Sequence, residues 1–195
     1  MRVIAGRLGG RTLKAPAGDA TRPTGARVKE AVFSILGDVS ELRVLDLYAG
    51  SGALGIEALS RGAAFTVFVE SGRAAQASLR ENLTKLGLVA ESCLLPLRVE
   101  AATLPLRKHG PYQLVLCDPP WRDVNAARRE LETLAGAGLF APGARIVLEH
   151  GALDPPAATA EPSRLVAIDE RRWGDTAVIV YEPADVPGGG VAPSP

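Results

Sequence analysis

The sequence predicts an α/β fold: a mostly parallel, doubly wound sheet, closed by an antiparallel hairpin at its C-terminal end and preceded by a small N-terminal hairpin-plus-helix extension. Two observations carry most of this reading. Runs of β-branched and leucine residues at 44–47, 65–69, 113–117 and 144–149 alternate with stretches of helical periodicity, as expected of strands buried on both faces of a parallel sheet. The first run leads directly into Gly50, Gly52 and Gly55. This Gly-x-Gly-x-x-Gly turn lets backbone approach a ligand and opens a helix whose N–H groups point at it.

Taken in order, residues 3–6 and 11–14, separated by Arg7-Leu8-Gly9-Gly10, predict a short hairpin on a glycine turn. A loop from 19 to 25 leads into a helix at 26–36, with Thr24 as its N-cap. In that helix Val28, Ala31, Val32, Ile35 and Leu36 form the buried stripe, leaving Arg27, Lys29, Glu30, Phe33 and Ser34 off it. Phe33 then faces either a ligand or, more commonly, a neighbouring loop. Helices at 53–61 and 74–86 stop at Gly62 and Gly87, the second with Ala75, Leu79, Leu83 and Leu86 on one side. Pro96 interrupts the apolar run 92–99 and argues for an edge or irregular strand. A helix at 125–137 joins the runs 113–117 and 144–149, and strands at 164–169 and 177–181 flank the turn 171–175 to form the closing hairpin. The 195 residues suffice for one core but not comfortably for two, so 1–183 reads as a single domain, with a basic extension over 1–36 and a core over 37–183. The Pro- and Gly-rich stretch 184–195 reads as a disordered tail.

The acids around the glycine turn narrow the ligand. Asp46 lies four residues before Gly50, near the carboxyl end of the first strand. A dinucleotide places its pyrophosphate at such a turn, where a carboxylate would repel it. A cofactor that offers a cation suits Asp46 better, and S-adenosylmethionine carries both an ammonium and a sulfonium. Glu70 ends the next strand about twenty residues further on, where an acid accepts hydrogen bonds from ribose hydroxyls. Tyr48, Ala49, Gly50, Ser51, Gly52 and Ser71 complete the predicted cofactor set, together with Glu100 at the third strand's end. Glu100 meets the adenine or merely caps a helix; the two readings stand even.

Strand 113–117 runs into Asp118-Pro119-Pro120-Trp121 on the same rim. The prolines lack N–H groups, so this segment offers carbonyl acceptors in a stiff turn without competing donors. A carboxylate plus a fixed carbonyl accepts both hydrogens of an exocyclic amine, localises its lone pair and aims it at a sulfonium methyl. Trp121 provides a flat face on which an unpaired base stacks. His109 and His150 lack a nucleophile signature, and no metal is expected.

Hydrophobic content of 47% and charged content of 23% are ordinary for a globular protein. No apolar run reaches membrane-spanning length and the N-terminus lacks a signal-peptide core, so the cytoplasm is the expected location. Cys93 and Cys117 read as buried free thiols, and Asn82-Leu83-Thr84 as a sequon without meaning inside a cell. The net charge is zero, but residues 1–30 hold seven basic against two acidic groups. Arg2, Arg7, Arg11, Lys14, Arg22 and Arg27 therefore form either a phosphate-contacting patch or a merely solvated face.

The chain resembles the RsmD-like family of bacterial methyltransferases that modify the exocyclic N2 of a guanine in 16S ribosomal RNA. The resemblance rests on Arg2-Val3-Ile4-Ala5-Gly6, on Arg22-Pro23-Thr24 with the run 27–36, on the run 44–62, on Asp118-Pro119-Pro120-Trp121, and on Arg172-Trp173-Gly174-Asp175-Thr176. It implies a Rossmann-like class I S-adenosylmethionine-dependent methyltransferase whose partner is 16S ribosomal RNA or the small ribosomal subunit; a monomer is the expected state. By the same resemblance Asp46 and residues 50–52 hold the methionine end, Glu70 the ribose, and residues 118–121 the target base. The family often has Tyr in place of Trp121, and Tyr or Phe in place of Trp173. Two alternatives share parts of this pattern. A DNA amino-methyltransferase has the same site but usually a sizeable target-recognition domain, and a non-catalytic RNA-binding assembly factor needs no joint set of Asp46, Glu70 and Asp118.

Overall fold

The computed structural model describes residues 1–16, 25–157 and 162–184. The elements are α1 (Ala26–Leu36), β1 (Arg43–Leu47), α2 (Ala53–Ser60), β2 (Phe65–Val69), α3 (Arg73–Leu86), β3 (Ser92–Leu95), α4 (Thr103–Leu106), β4 (Tyr112–Cys117), α5 (Val124–Gly136), β5 (Phe140–Gly151), β6 (Leu165–Trp173) and β7 (Thr176–Pro183). They form a seven-stranded sheet in the order β3-β2-β1-β4-β5-β7-β6. Strands β1 to β5 are parallel, and β7 runs antiparallel to both β5 and β6. The chain winds outward from β1 to β3 and then returns to β4, so strand order reverses between β1 and β4. Ligands bind in the crevice outside the carboxyl ends at such a point.

The central strands are apolar on both sides because helices cover both faces. On one face Val44, Phe68, Leu116 and Val147 pack with Val32, Phe33, Ile56, Leu59 and Leu79. On the other, Leu45, Leu47, Val115, Ile146 and Leu148 pack with Leu106, Val124, Leu131 and Leu134. Helix α1 has the predicted bounds, but its burial differs. Phe33 is 1% exposed beneath the Arg61 guanidinium, 4.7 Å from its ring centroid, and Lys29 is 2% exposed. Residues 1–16 cover a second flank of α1, so a single apolar stripe understates what this helix buries. The N-cap position is Gly25, without a side-chain bond; Thr24 lies outside the described residues.

The N-terminal segment is tied down by polar contacts. Glu57 of α2, fully buried, accepts hydrogen bonds from Ile4 N (2.8 Å) and Ala5 N (2.9 Å), and pairs with Lys29 Nζ (3.0 Å) and Arg61 Nε (2.9 Å). Gly6 has φ 77°, and a Cβ there would lie 1.9 Å from the Ser60 carbonyl oxygen, so only glycine fits. The predicted hairpin is present in short form: one antiparallel bridge joins Arg2 to Thr12, with Val3 N donating to the Arg11 carbonyl, Gly10 N to that of Val3 and Leu13 N to that of Met1, each at 2.9 Å.

Strand β3 ends before Pro96 and lies at the sheet edge, as the proline predicts. Strand β5 begins at Phe140, earlier than expected, through a register shift against β4 between Tyr112 and Leu114 that accommodates Pro142 and Gly143 (φ 70°). Cys117 is buried, whereas Cys93, on the edge strand, is only half-buried; both are free thiols. Residues 185–195 of the expected tail lie outside the described residues. Among the described residues no helix is long and apolar enough to cross a membrane.

Candidate active site

Strand register brings the predicted acids to one place. Asp46 pairs with Phe68 of β2 and Leu116 of β4, and Leu116 with Val147 of β5. Since side chains alternate faces along a strand, Glu70, Asp118 and Glu149, each two residues further on, continue the same face past the carboxyl ends. A cavity of about 1370 Å³ opens there, lined by all four acids. Single-ligand pockets measure about 300–1,000 Å³, so this one has room for a cofactor and a base side by side.

The cofactor side is built from the ends of β1 and β2. Asp46 is 1% exposed and its Oδ2 accepts from Gly55 N at 2.9 Å, which ties the carboxylate to the first turn of α2. Burial pushes its carboxyl well above the ordinary value; the Gly55 amide opposes this, and the charges of Asp118 and Glu70 add to it. Glu70 accepts from Gly50 N (2.7 Å) and Gly72 N (2.6 Å), so it holds the glycine turn as well as facing the cavity. Tyr48, with φ 58°, makes the sharp bend out of β1; Tyr48, Ala49, Gly50, Ser51, Ser71 and Glu100 all line the cavity. Gly52 does not: at φ 81° it is the N-cap of α2, and a Cβ would meet Leu79 Cδ1 at 2.4 Å. Its place in the predicted set belongs to backbone geometry rather than to ligand contact. Glu100 sits on a one-turn 3-10 helix, Val99–Ala101, exposed at the rim.

On the other side, Asp118, Pro119, Pro120 and Trp121 line the cavity together with Glu149, Trp173, Asp175 and Thr176. Trp121 opens a 3-10 turn, Trp121–Asp123, and its ring lies on Gly151 of β5, where a Cβ would come 3.1 Å from Cε3. A side chain at 151 would therefore displace the indole.

Several residues escaped the sequence reading. Asn82, read only as a sequon, is 1% exposed: its Oδ1 accepts from Lys14 N (2.8 Å), and its Nδ2 donates to the carbonyls of Lys14 (3.0 Å) and Ser51 (3.0 Å). It thus joins the N-terminal segment to the glycine turn. Position 82 lies one helical turn from Leu79, but its partners, Lys14 and Ser51, are too distant in sequence for any local pattern to reveal. The basic patch is also thinner than the charge count suggests. Lys29 is buried against Glu57, Arg7 pairs with Glu91, and Lys14 with Glu81 at 2.5 Å. Arg2 and Arg11 are exposed away from the cavity; Arg27 lines it, with Arg73, Arg98 and Arg122. Arg22 lies outside the described residues. Among the described residues no group of three or more His, Cys, Asp and Glu is arranged to hold a metal.

The profile of a protein family described as "Conserved hypothetical protein 95" matches residues 1–182. The chain is 31% identical over 184 residues to the ribosomal RNA small subunit methyltransferase D of Haemophilus influenzae, covering 93% of each chain. It is 38% identical over 123 residues to the protein of that name in Escherichia coli strain K12, covering 63% of this chain and 61% of that one. A solved structure from Escherichia coli superposes with a TM-score of 0.77 at 32% identity, over 94% of this chain and 97% of the other.

Proposed function

This chain belongs to the RsmD-like family of ribosomal RNA methyltransferases, and from that membership we propose that it transfers a methyl group from S-adenosylmethionine to the exocyclic N2 amine of a guanine in 16S ribosomal RNA, within a small-subunit particle in the cytoplasm. One observation carries the proposal. The Asp118-Pro119-Pro120-Trp121 turn, suited to an exocyclic amine on a flat base, shares a single cavity with an acid-lined glycine turn suited to a cationic cofactor.

The residues present fit S-adenosylmethionine, since the carboxylates of Asp46, Glu70, Asp118 and Glu149 line one cavity and suit a cationic ligand. Bound there, the cofactor supplies an electrophilic methyl on a sulfonium. Asp46 and the 49–51 turn hold the methionine end, Glu70 the ribose and Glu100 the adenine edge. Trp121 fixes the plane of the base. Asp118 and the Pro119 carbonyl accept the two amine hydrogens, turning the nitrogen lone pair out of conjugation and toward the methyl. On transfer of that methyl, with the cofactor left as a neutral thioether, the nitrogen would be cationic and Asp118 would take one of its protons, leaving a neutral secondary amine on the base.

Methyl transfer from tritiated S-adenosylmethionine to 16S RNA and to small-subunit particles, with the modified base mapped, tests this reading. Label on a guanine N2 supports it; no transfer to either substrate overturns it.

Cofactor affinity should depend on pH through Asp46. A cationic ligand favours the ionised carboxylate, so protons compete with it and affinity falls as pH drops through the raised pKa, a window lying above the ordinary 3.8. The ligand-free fold has the opposite sign, because protonation relieves the cost of a buried charge. Asp46→Asn should bind about 1–3 kcal/mol more weakly and with a flat profile over that window. Calorimetry across pH checks this; identical profiles for both proteins would remove Asp46 from the cofactor site.

RNA phosphates are expected at the cavity mouth. Arg27→Glu with Arg122→Glu should weaken RNA binding and lower the salt slope by about one per lost contact. Arg7→Glu with Lys14→Glu, whose side chains are already paired with acids, should change the slope less. Equal slopes for the two double variants would return the phosphate contacts to the N-terminal patch.

A further inference from the structure

An Asp-Pro-Pro-Trp turn accepts an exocyclic amine, yet guanine, adenine and cytosine all carry one. They differ in the ring nitrogen beside the amine-bearing carbon. Guanine N1 bears a hydrogen and donates; adenine N1 and cytosine N3 carry lone pairs and accept. A residue that selects guanine must therefore set an acceptor-only group next to Asp118.

We infer that Glu149 is this specificity-determining residue, accepting a hydrogen bond from guanine N1–H while Asp118 and the Pro119 carbonyl take the N2 hydrogens; the inference rests on the functional reading above. Cys117 pairs with Leu148, so Asp118 and Glu149 are the next rung at the ends of adjacent parallel strands. Strands in a sheet lie about 4.7–4.9 Å apart, and side chains on one rung share a face. Two acceptors so placed match two parallel N–H groups on one base edge, with the longer glutamate side chain reaching the ring. Glu149 is 7% exposed and lines the cavity beside Trp121 and Trp173. In its ionised form a carboxylate has no hydrogen to donate, so a base with a lone pair at this position is then repelled.

The test uses small-subunit particles reconstituted with 16S RNA that carries either guanine or 2-aminopurine at the mapped target. 2-Aminopurine keeps the amine but has a lone pair at N1. The protein as it stands should methylate guanine at least about a hundredfold faster than 2-aminopurine, since a site built to hydrogen-bond one group strongly rejects an analogue lacking it. Glu149→Gln offers an amide that donates to N1. It should slow the guanine reaction about ten- to a hundredfold and close the gap between the two bases, with cofactor affinity by calorimetry unchanged. A native enzyme that methylates both bases alike overturns the inference whatever the variant does. A Glu149→Gln protein that binds cofactor normally and keeps the native ratio of guanine to 2-aminopurine overturns it too. If the native enzyme leaves guanine N2 unmodified in every particle, the functional reading fails and this inference with it. Guanine methylation with an unchanged base preference defeats this inference alone.

Discussion

Asp118→Ala is expected to lower single-turnover methyl transfer by about two to four powers of ten while S-adenosylmethionine affinity changes only a few-fold. The carboxylate lies at the end of β4, one residue past Cys117, and lines the cavity; in the proposed reaction its loss removes an acceptor for the amine. A base amine is a poor nucleophile because its lone pair is delocalised into the ring. Hydrogen bonds to both amine hydrogens undo that delocalisation only near the transition state, so their loss appears in the rate more than in ground-state binding. Asp118→Asn, which keeps one acceptor oxygen but no charge to receive the proton, should fall between the alanine variant and the native enzyme. Single-turnover rates on the ribosomal substrate check this, and a native rate for Asp118→Ala would move the chemistry away from this strand end.

Glu57→Ala is expected to destabilise the protein by about 3–5 kcal/mol, the usual cost of breaking a buried ion pair from one side. The alanine strands the ammonium of Lys29, 2% exposed, and removes the acceptor for the amides of Ile4 and Ala5. Replacing Lys29 as well, as in Glu57→Gln with Lys29→Met, removes the stranded charge and should recover part of the loss. The pH dependence has a definite sign. Burial pushes Glu57 upward, but the Ile4 amide, Lys29 and the Ala5 amide outweigh it and hold the carboxyl below its ordinary 4.5. Its contribution to stability is therefore present above that value and lost as pH falls beneath it. Urea melts of the two variants, and of the native protein across acidic pH, check both statements; a loss under about 1 kcal/mol for Glu57→Ala would mean that Glu57 contributes little to holding the N-terminal segment.

The sequence by itself determined what repeats with a period or obeys local backbone chemistry. Strands of the parallel sheet declared themselves as doubly apolar runs, Gly62 and Gly87 stopped their helices, and Pro96 ended an edge strand, each because the cause lies within a few residues of the effect. Asp46, Glu70 and Asp118 were legible as one rim for the same reason: every parallel strand of such a sheet points its carboxyl end the same way.

Only the tertiary structure decided how charges and flanks are paired. Lys29 and Phe33 of α1 looked outward on a helical wheel, yet the N-terminal segment, including Val3 and Leu13, and a glutamate 28 residues later than Lys29 enclose them. Asn82 joins Lys14 to Ser51 across the fold, and Arg7 and Lys14 are paired with acids from distant elements. Glu149 came to stand beside Asp118 through strand pairing between residues far apart in the chain. Hydrogen bonds and ion pairs are short-ranged, and their partners are set by which elements the packed core brings together. A periodic pattern records which side of an element is buried, but not what stands opposite it.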